Sequence, residues 1–95
     1  MAEKITVTPM TLEEAKALGI ESWGEWGCEP SVFDWQYSDR ETAYVFEGDV
    51  TVRYGGADCS EEEAHITPGC LCVFPKGLKC IWDVKKTVRK AYKFG

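Results

Sequence analysis

The residues best suited to chemistry in this chain include five cysteines and one histidine, and their spacing does not form a known metal or redox motif. The cysteines are Cys28, Cys59, Cys70, Cys72 and Cys80. Their number is odd, and no two of them have the C-x-x-C spacing of zinc ribbons and redox proteins. We therefore predict reduced thiols in a cytosol-like compartment. His65 follows the acidic run 61–63, and we expect it on a strand surface rather than in a ligand set.

Charge is distributed unevenly along the chain. The net charge is −5, which argues against nucleic acid as a partner. Residues 64–95 nevertheless carry seven basic side chains and one acidic one. One interpretation of this uneven charge distribution is that the strand faces of the two halves are solvated to different degrees. The alternative is an anion-attracting rim built from Lys85, Lys86, Arg89, Lys90 and Lys93.

The hydropathy pattern bears on the location of the protein. No apolar run is long enough for a membrane span, and the N-terminus lacks the apolar stretch of a signal peptide. We therefore predict a cytoplasmic protein with no membrane partner. An organelle-targeting segment that had been removed would leave no trace in this sequence.

Turn signals divide the 95 residues into about eight short strands in one domain, 1–95. A capping box at Thr11 and Glu14 begins one short helix, whose apolar stripe is Leu12, Ala15 and Leu18 and which Gly19 ends. Strands are predicted at 5–7, 33–37, 41–47, 50–54, 70–74, 78–84 and 87–94. The pair Gly48-Asp49 predicts a tight hairpin, and residues 23–27 are expected to form a glycine-rich connection. This pattern is typical of an all-β sandwich or barrel.

Two spaced motifs make the prediction more specific. Glu41 is followed after six residues by Gly48, and Gly69 is followed by the pattern x5-Pro75-x-Gly77-x2-Cys80. These motifs resemble the closing half of the first cupin motif and most of the second. The resemblance covers about residues 30–94 and is strongest to the small single-domain proteins related to the ureidoglycine aminohydrolase cupin domain. It implies a double-stranded β-helix, or jelly-roll barrel, and a homodimer.

The resemblance also implies where a site would be. In metal-binding cupins, three histidines and one glutamate point into the barrel. The matching positions here hold Trp35, Tyr37, Glu41 and Cys80. Because indole cannot ligate a metal and a phenol does so only as phenolate, we predict no metal cofactor. Any ion that did bind would be held weakly near Glu41 and Cys80.

These positions still suggest a ligand pocket. Glu41 is the candidate general acid or base, and Cys80 is a neighbouring candidate catalytic thiol, unless it serves only as packing. Trp35 and Tyr37 share a strand face, and Trp82 has the same parity as Cys80, so these three aromatic residues are predicted to contact the ligand. Hydrogen bonds from Tyr37, Cys80 or backbone N–H groups are expected to satisfy Glu41.

Two hypotheses of function remain open at this point. In the first, the barrel binds a small, flat, nitrogen-rich compound, and the related family suggests a ureide-like one. In the second, the protein is a non-catalytic structural or stress-related module whose metal-free barrel is filled by aromatic side chains. The sequence does not decide whether the protein is an enzyme. An open polar pocket around Glu41 favours the first hypothesis, and a solid aromatic core favours the second.

Overall fold

The computed structural model describes residues 4–95 and is mostly antiparallel β-structure. It has one α-helix of a turn and a half and a single turn of 3₁₀-helix at Ile20–Ser22. The α-helix and the seven strands of these residues are, in chain order, β1 (Thr6–Pro9), α1 (Leu12–Ala17), β2 (Gly24–Cys28), β3 (Ser31–Gln36), β4 (Glu41–Tyr54), β5 (Glu62–Ile66), β6 (Cys70–Phe74) and β7 (Lys79–Phe94). The predicted all-β architecture with one short N-terminal helix is confirmed.

Two long strands, β4 and β7, form a ribbon that belongs to both sheets of the fold. The first part of β4 pairs with β6 and with the end of β7, and the path β1-β6-β4-β7-β2 forms one sheet. The last part of β4 pairs with β5 and with the start of β7, which in turn pairs with β3. Two layers connected by continuous strands are the arrangement expected of a jelly roll.

The ribbon bends at a series of register shifts between Val45 and Val50. Gly48 lies inside this bend with a φ of 129°, and a Cβ atom there would come within 2.8 Å of the Val88 Cα on β7. The glycine therefore permits both the backbone conformation and the close approach of the two strands. The predicted hairpin at Gly48-Asp49 is wrong, because β4 continues through it. The predicted strands 78–84 and 87–94 are likewise one strand, β7.

One strand, β2, is not foreseen from the sequence, and another, β5, is foreseen only at His65. The segment predicted as a glycine-rich connection forms β2, which pairs with β7 from Gly24↔Tyr92 to Cys28↔Val88. The acidic run 61–63 extends into β5, where Glu62 and Glu63 pair with Tyr54 and Arg53 of β4. Both segments have weak intrinsic strand propensity, so their conformation is decided by the edge of the sheet on which they lie.

Helix α1 covers the outer face of the first sheet. Its predicted capping box is present, since the Glu14 N–H donates to the Thr11 hydroxyl and the Thr11 N–H donates to the Glu14 carboxylate. Of its apolar stripe only Ala15 is buried, whereas Leu12 and Leu18 are about half exposed. Ala15 packs with Ile20, Tyr44 and Ala91 in a small cluster that we call the outer core.

The main core lies between the two layers. Its buried members come mainly from β4, β5, β6 and β7, together with Ile5 before β1 and Tyr37 after β3. They include Val50, Val52, Phe74, Trp82 and Val88. Partly buried aromatic side chains, among them Trp26, Phe33 and Tyr92, extend this core toward one end of the barrel. The candidate site lies at that end.

Candidate functional site

Aromatic side chains from β2, β3 and β7 surround a cavity of about 250 Å³. Strand pairing explains the arrangement, because Phe33 lies opposite Trp82 in the β3–β7 register and Trp26 lies opposite Lys90 in the β2–β7 register. The lining residues are Trp26, Phe33, Trp35, Tyr37, Glu41, Trp82, Lys90, Tyr92 and Phe94. The cavity is slightly smaller than the range typical of drug-sized ligands, so it suits a small molecule.

Four of the five residues predicted for the site meet in this cavity. Tyr37 and Trp82 are buried, each 2% exposed, whereas Trp35 is 51% exposed and lies at the cavity mouth. Phe94, which is 53% exposed, stands at the mouth as well. Glu41, at the first position of β4, is buried. The buried part of the cavity thus combines aromatic rings with a carboxylate, and two exposed aromatic rings stand at its entrance.

Tyr37 is fixed from two sides. Its ring stacks on Phe74 at a centroid distance of 4.9 Å, and the Trp82 indole N–H donates a hydrogen bond of 3.2 Å to the Tyr37 hydroxyl oxygen. Burial, followed by the nearby Glu41 charge, raises the pKa of Tyr37 far above its ordinary value. The hydroxyl group is therefore a neutral donor at every physiological pH, and a ligand oxygen in the cavity could accept from it.

Glu41 forms a buried ion pair with Lys90. The Lys90 Nζ lies 2.5 Å from the Glu41 Oε2, and each side chain is 6% exposed. The expected donors to the Glu41 carboxylate were Tyr37, Cys80 or a backbone N–H group. Among the described residues, the donor is instead the Lys90 ammonium group. The second carboxylate oxygen, Oε1, has no hydrogen-bond partner among residues 4–95, and the side chain lines the cavity.

Lys90 is the functional candidate that the sequence interpretation misses, because it considers this residue only as a solvated strand residue or as a member of the alternative basic rim. It lies instead with its Nζ between 4.8 and 5.5 Å from three ring centroids, those of Trp26, Phe74 and Trp82. A signal was available in the sequence: Lys90 has the same strand parity as Val88 and Tyr92, both core-facing. A lysine on the apolar face of a strand requires a buried partner, and Glu41 is that partner.

Cys80 lies behind the cavity wall and not in it. Its side chain is 2% exposed, and its Sγ donates to the Trp35 carbonyl oxygen at 3.7 Å. Burial raises the pKa of Cys80 to about 12, and it raises the pKa of Cys72 to about 12 as well. Both groups are therefore thiols at neutral pH and not thiolate nucleophiles. All five cysteines are free, and Cys70, Cys72 and Cys80 are buried.

The metal ion found in many cupins does not fit these side chains. Among residues 4–95, no group of three or more His, Cys, Asp and Glu side chains could hold an ion. The carboxylate of Glu41 already faces the ammonium group of Lys90, which would repel a second cation. Trp35 offers only an N–H donor, and Tyr37 keeps its proton. The prediction that no metal is bound is consistent with this chemistry but stays a prediction.

The other charged candidates lie on the surface. Lys85 pairs with Asp83, and Arg89 lies 3.8 Å from a Glu47 carboxylate oxygen, so these parts of the predicted basic rim have acidic neighbours. His65 is exposed on β5 and its Nε2 lies 2.6 Å from Asp49, as expected for a strand-surface residue. None of these groups lines the aromatic cavity. No helix among residues 4–95 is long and apolar enough to cross a membrane.

Comparison with known proteins establishes the family. The model of the EutQ-like cupin domain matches residues 15–92, and the chain belongs to this family. A DUF861 family protein from Thermotoga maritima is 39% identical, and the match covers 97% of this chain and 100% of that protein with a TM-score of 0.87. No curated protein matches the chain significantly. The cupin fold implied by the sequence motifs is thereby confirmed.

Two more distant solved structures share the fold alone. The Clostridium difficile EutQ protein is 24% identical with a TM-score of 0.62, and the match covers 93% of this chain and 64% of EutQ. A DUF1255 protein of unknown function from Acidithiobacillus ferrooxidans is 18% identical with a TM-score of 0.63, covering 70% of this chain and 60% of its own. The chain is thus a cupin domain whose family relationship does not by itself assign an activity.

Proposed function

We propose that the protein binds a small, planar, ureide-like molecule in the aromatic cavity, anchored by Glu41 and Lys90. The observation that carries this proposal is the ion pair at the cavity wall. It presents a hydrogen-bond acceptor and a donor side by side at the cavity wall, on side chains that are each 6% exposed. Hydrogen bonds in such a setting are stronger than in water, and they select ligands by the positions of their polar groups.

A ureide complements these groups atom by atom. Its N–H groups can donate to Glu41 Oε1, which has no partner among the described residues. Its carbonyl oxygen can accept from Lys90 or from the Tyr37 hydroxyl group. The flat urea group can lie against the Trp82 and Phe33 rings, whose planes are within 13° of each other. The sequence resemblance to ureidoglycine aminohydrolase cupin domains supports the same ligand class.

The cavity also supports this proposal over the alternative of a filled structural barrel. Aromatic side chains occupy much of the interior, but they leave about 250 Å³ beside Glu41 and Lys90. A core that serves only packing usually leaves few voids larger than a water molecule. In this proposal Glu41 binds the ligand, and Trp35 and Phe94 flank the entrance of the cavity. Cys80 packs behind the cavity lining and does not contact the ligand. The predicted homodimer and cytoplasmic location stay predictions.

The proposal can be tested with two nearly identical probes in isothermal titration calorimetry. Hydantoate carries a urea group and a carboxylate, and N-acetylglycine differs only by a methyl group in place of the terminal NH₂. We expect hydantoate to bind at least about tenfold more tightly, because the methyl group cannot donate to Glu41 Oε1 as the terminal NH₂ group does. Equal affinity for the two probes, or no binding of either, contradicts the proposal.

Matched variants assign the effect to Glu41. Glu41→Gln keeps the shape of the side chain but turns one acceptor into a donor, so the preference for hydantoate should disappear. Glu47→Gln changes an exposed carboxylate on the same strand, which contacts Arg89 and does not line the cavity. It should retain the wild-type preference. Thermal melts of both variants establish that any loss of binding occurs in a folded protein.

A further inference from the structure

Lys90 lies in a setting that proteins use to bind free cations. An ammonium group placed within about 6 Å of the faces of several aromatic rings is attracted by their quadrupoles, and aromatic cages of this kind recognise alkylammonium ligands. Here Trp26, Phe74 and Trp82 surround the Lys90 Nζ, with ring centroids at 5.0, 5.5 and 4.8 Å. Glu41 supplies the counter-charge.

The occupant of this cage is part of the chain itself. Lys90 lies on β7, which pairs with β2 on one side and β4 on the other, so its backbone is held between two strands of the first sheet. Its side chain is 6% exposed and reaches the cage and Glu41 at once. A tethered ammonium group competes with free amines at an effective concentration that few ligands reach in solution.

We infer that Trp26, Phe74, Trp82 and Glu41 form an alkylammonium site that Lys90 fills intramolecularly, and that Lys90 thereby makes the cavity select neutral or anionic ligands over amines. Without Lys90, the same rings and carboxylate would attract a cation from solution. With Lys90 in place, an incoming amine meets an ammonium group at the cavity wall and is repelled. The inference rests on the proposed function only in requiring that small molecules enter the cavity.

A chemical rescue experiment tests the inference. Lys90→Ala removes three methylene groups and the ammonium group, which together correspond to n-propylammonium. We expect n-propylammonium to raise the melting temperature of Lys90→Ala by about 4 °C or more at saturating concentration, and to leave the wild-type melting temperature unchanged. 1-Propanol has the same shape without the charge and should not rescue the variant.

Two control variants separate the cage from nonspecific effects. In the double variant Glu41→Gln/Lys90→Ala the counter-charge is missing, so n-propylammonium should lose most of its effect. Lys93→Ala removes a lysine that also lies over an indole ring, 5.2 Å from the Trp23 centroid, but is exposed to solvent. n-Propylammonium should therefore leave the melting temperature of Lys93→Ala unchanged. A similar temperature rise in the wild type or Lys93→Ala, rescue by 1-propanol, or no rescue of Lys90→Ala overturns the inference.

If Lys90→Ala does not fold with or without n-propylammonium, a measurement on the wild-type protein tests whether Lys90 occupies the aromatic cage. Protons held over aromatic faces are shifted upfield by the ring currents. The Lys90 ε-methylene resonances should therefore lie well upfield of those of Lys76, which is exposed in the turn after β6. Overlapping Lys90 and Lys76 resonances contradict the cage. Because none of these experiments uses a ureide, failure of hydantoate to bind leaves the inference standing.

Discussion

Both faces of the first sheet carry buried side chains, and the two faces are packed differently. The outer core beneath α1 is formed by small and aromatic side chains, and Ala15 within it is fully buried. Its one buried hydroxyl group, that of Tyr44, donates to the Met10 carbonyl oxygen. The inner face contains the ion pair of Glu41 and Lys90 and an open cavity beside it.

Neighbouring residues of one strand show this difference most directly. Ala91 faces the outer core, and Lys90, one position earlier on β7, faces the cavity. Burying an ion pair costs more desolvation free energy than burying an apolar pair of similar size, so the inner face is not optimised for stability alone. The comparison indicates that the outer core stabilises the sheet, while the inner face retains polar groups and space for a ligand.

Breaking the inner ion pair should have the largest effect on stability. Glu41→Ala leaves the Lys90 ammonium group buried without its counter-charge, and we expect the free energy of unfolding to fall by about 3–5 kcal/mol. Urea denaturation followed by tryptophan fluorescence measures the change. The double variant Glu41→Leu/Lys90→Met removes both charges and should recover most of the loss. Glu47→Ala, at an exposed position of the same strand, should change stability by less than about 0.5 kcal/mol.

Overpacking should distinguish the filled outer core from the inner cavity. Ala15→Leu adds three carbon atoms to a site with no exposed surface and should cost about 1–3 kcal/mol in unfolding free energy. Phe33→Trp adds volume beside the cavity and should cost less than about 1 kcal/mol, while it blocks hydantoate binding. Denaturant melts give both values. An equal cost for the two substitutions would show that the inner face is as tightly packed as the outer one.

Metal removal should have the smallest effect of all. Because Lys90 neutralises Glu41 and no other metal-ligand group converges on the cavity within residues 4–95, we propose that the protein folds without a bound ion. A chelator should leave the melting temperature unchanged, since only an ion that binds the native state stabilises it. Elemental analysis provides an independent check. Stoichiometric metal together with a large loss of melting temperature on chelation would contradict this expectation.

The site could be predicted from sequence where turn-bounded motifs fix the register. The spacing of Glu41 from Gly48, and of Cys80 from Gly69, identifies Glu41 as inward-facing, although β4 and β7 are each predicted as two shorter strands. Lys90 was missed because basic residues are dense around it, and the local composition resembles a solvated surface. Only its pairing with Glu41, 49 residues away, makes its burial tolerable, and such a long-range contact leaves no local pattern.

The remaining errors have the same physical origin. Gly48-Asp49 has the composition of a hairpin, yet the close approach of β7 at Val88 makes it a bend within one strand. Strand β2 contains two glycines in five residues, and its propensity alone predicts a loop. Its pairing with β7 places Trp26 at the cavity, where the ring meets Trp82 edge-on at 5.8 Å. In each case tertiary pairing overrides the local signal.

The most direct test of the central claim uses the four tryptophans as reporters in one NMR titration. Trp26, Trp35 and Trp82 line the cavity, whereas Trp23 packs against the outer core. Addition of hydantoate should shift the indole N–H resonances of the first three in a saturable manner and leave that of Trp23 in place. Uniform small shifts of all four resonances, or a shift of Trp23 alone, would show that the aromatic cavity is not the ligand site.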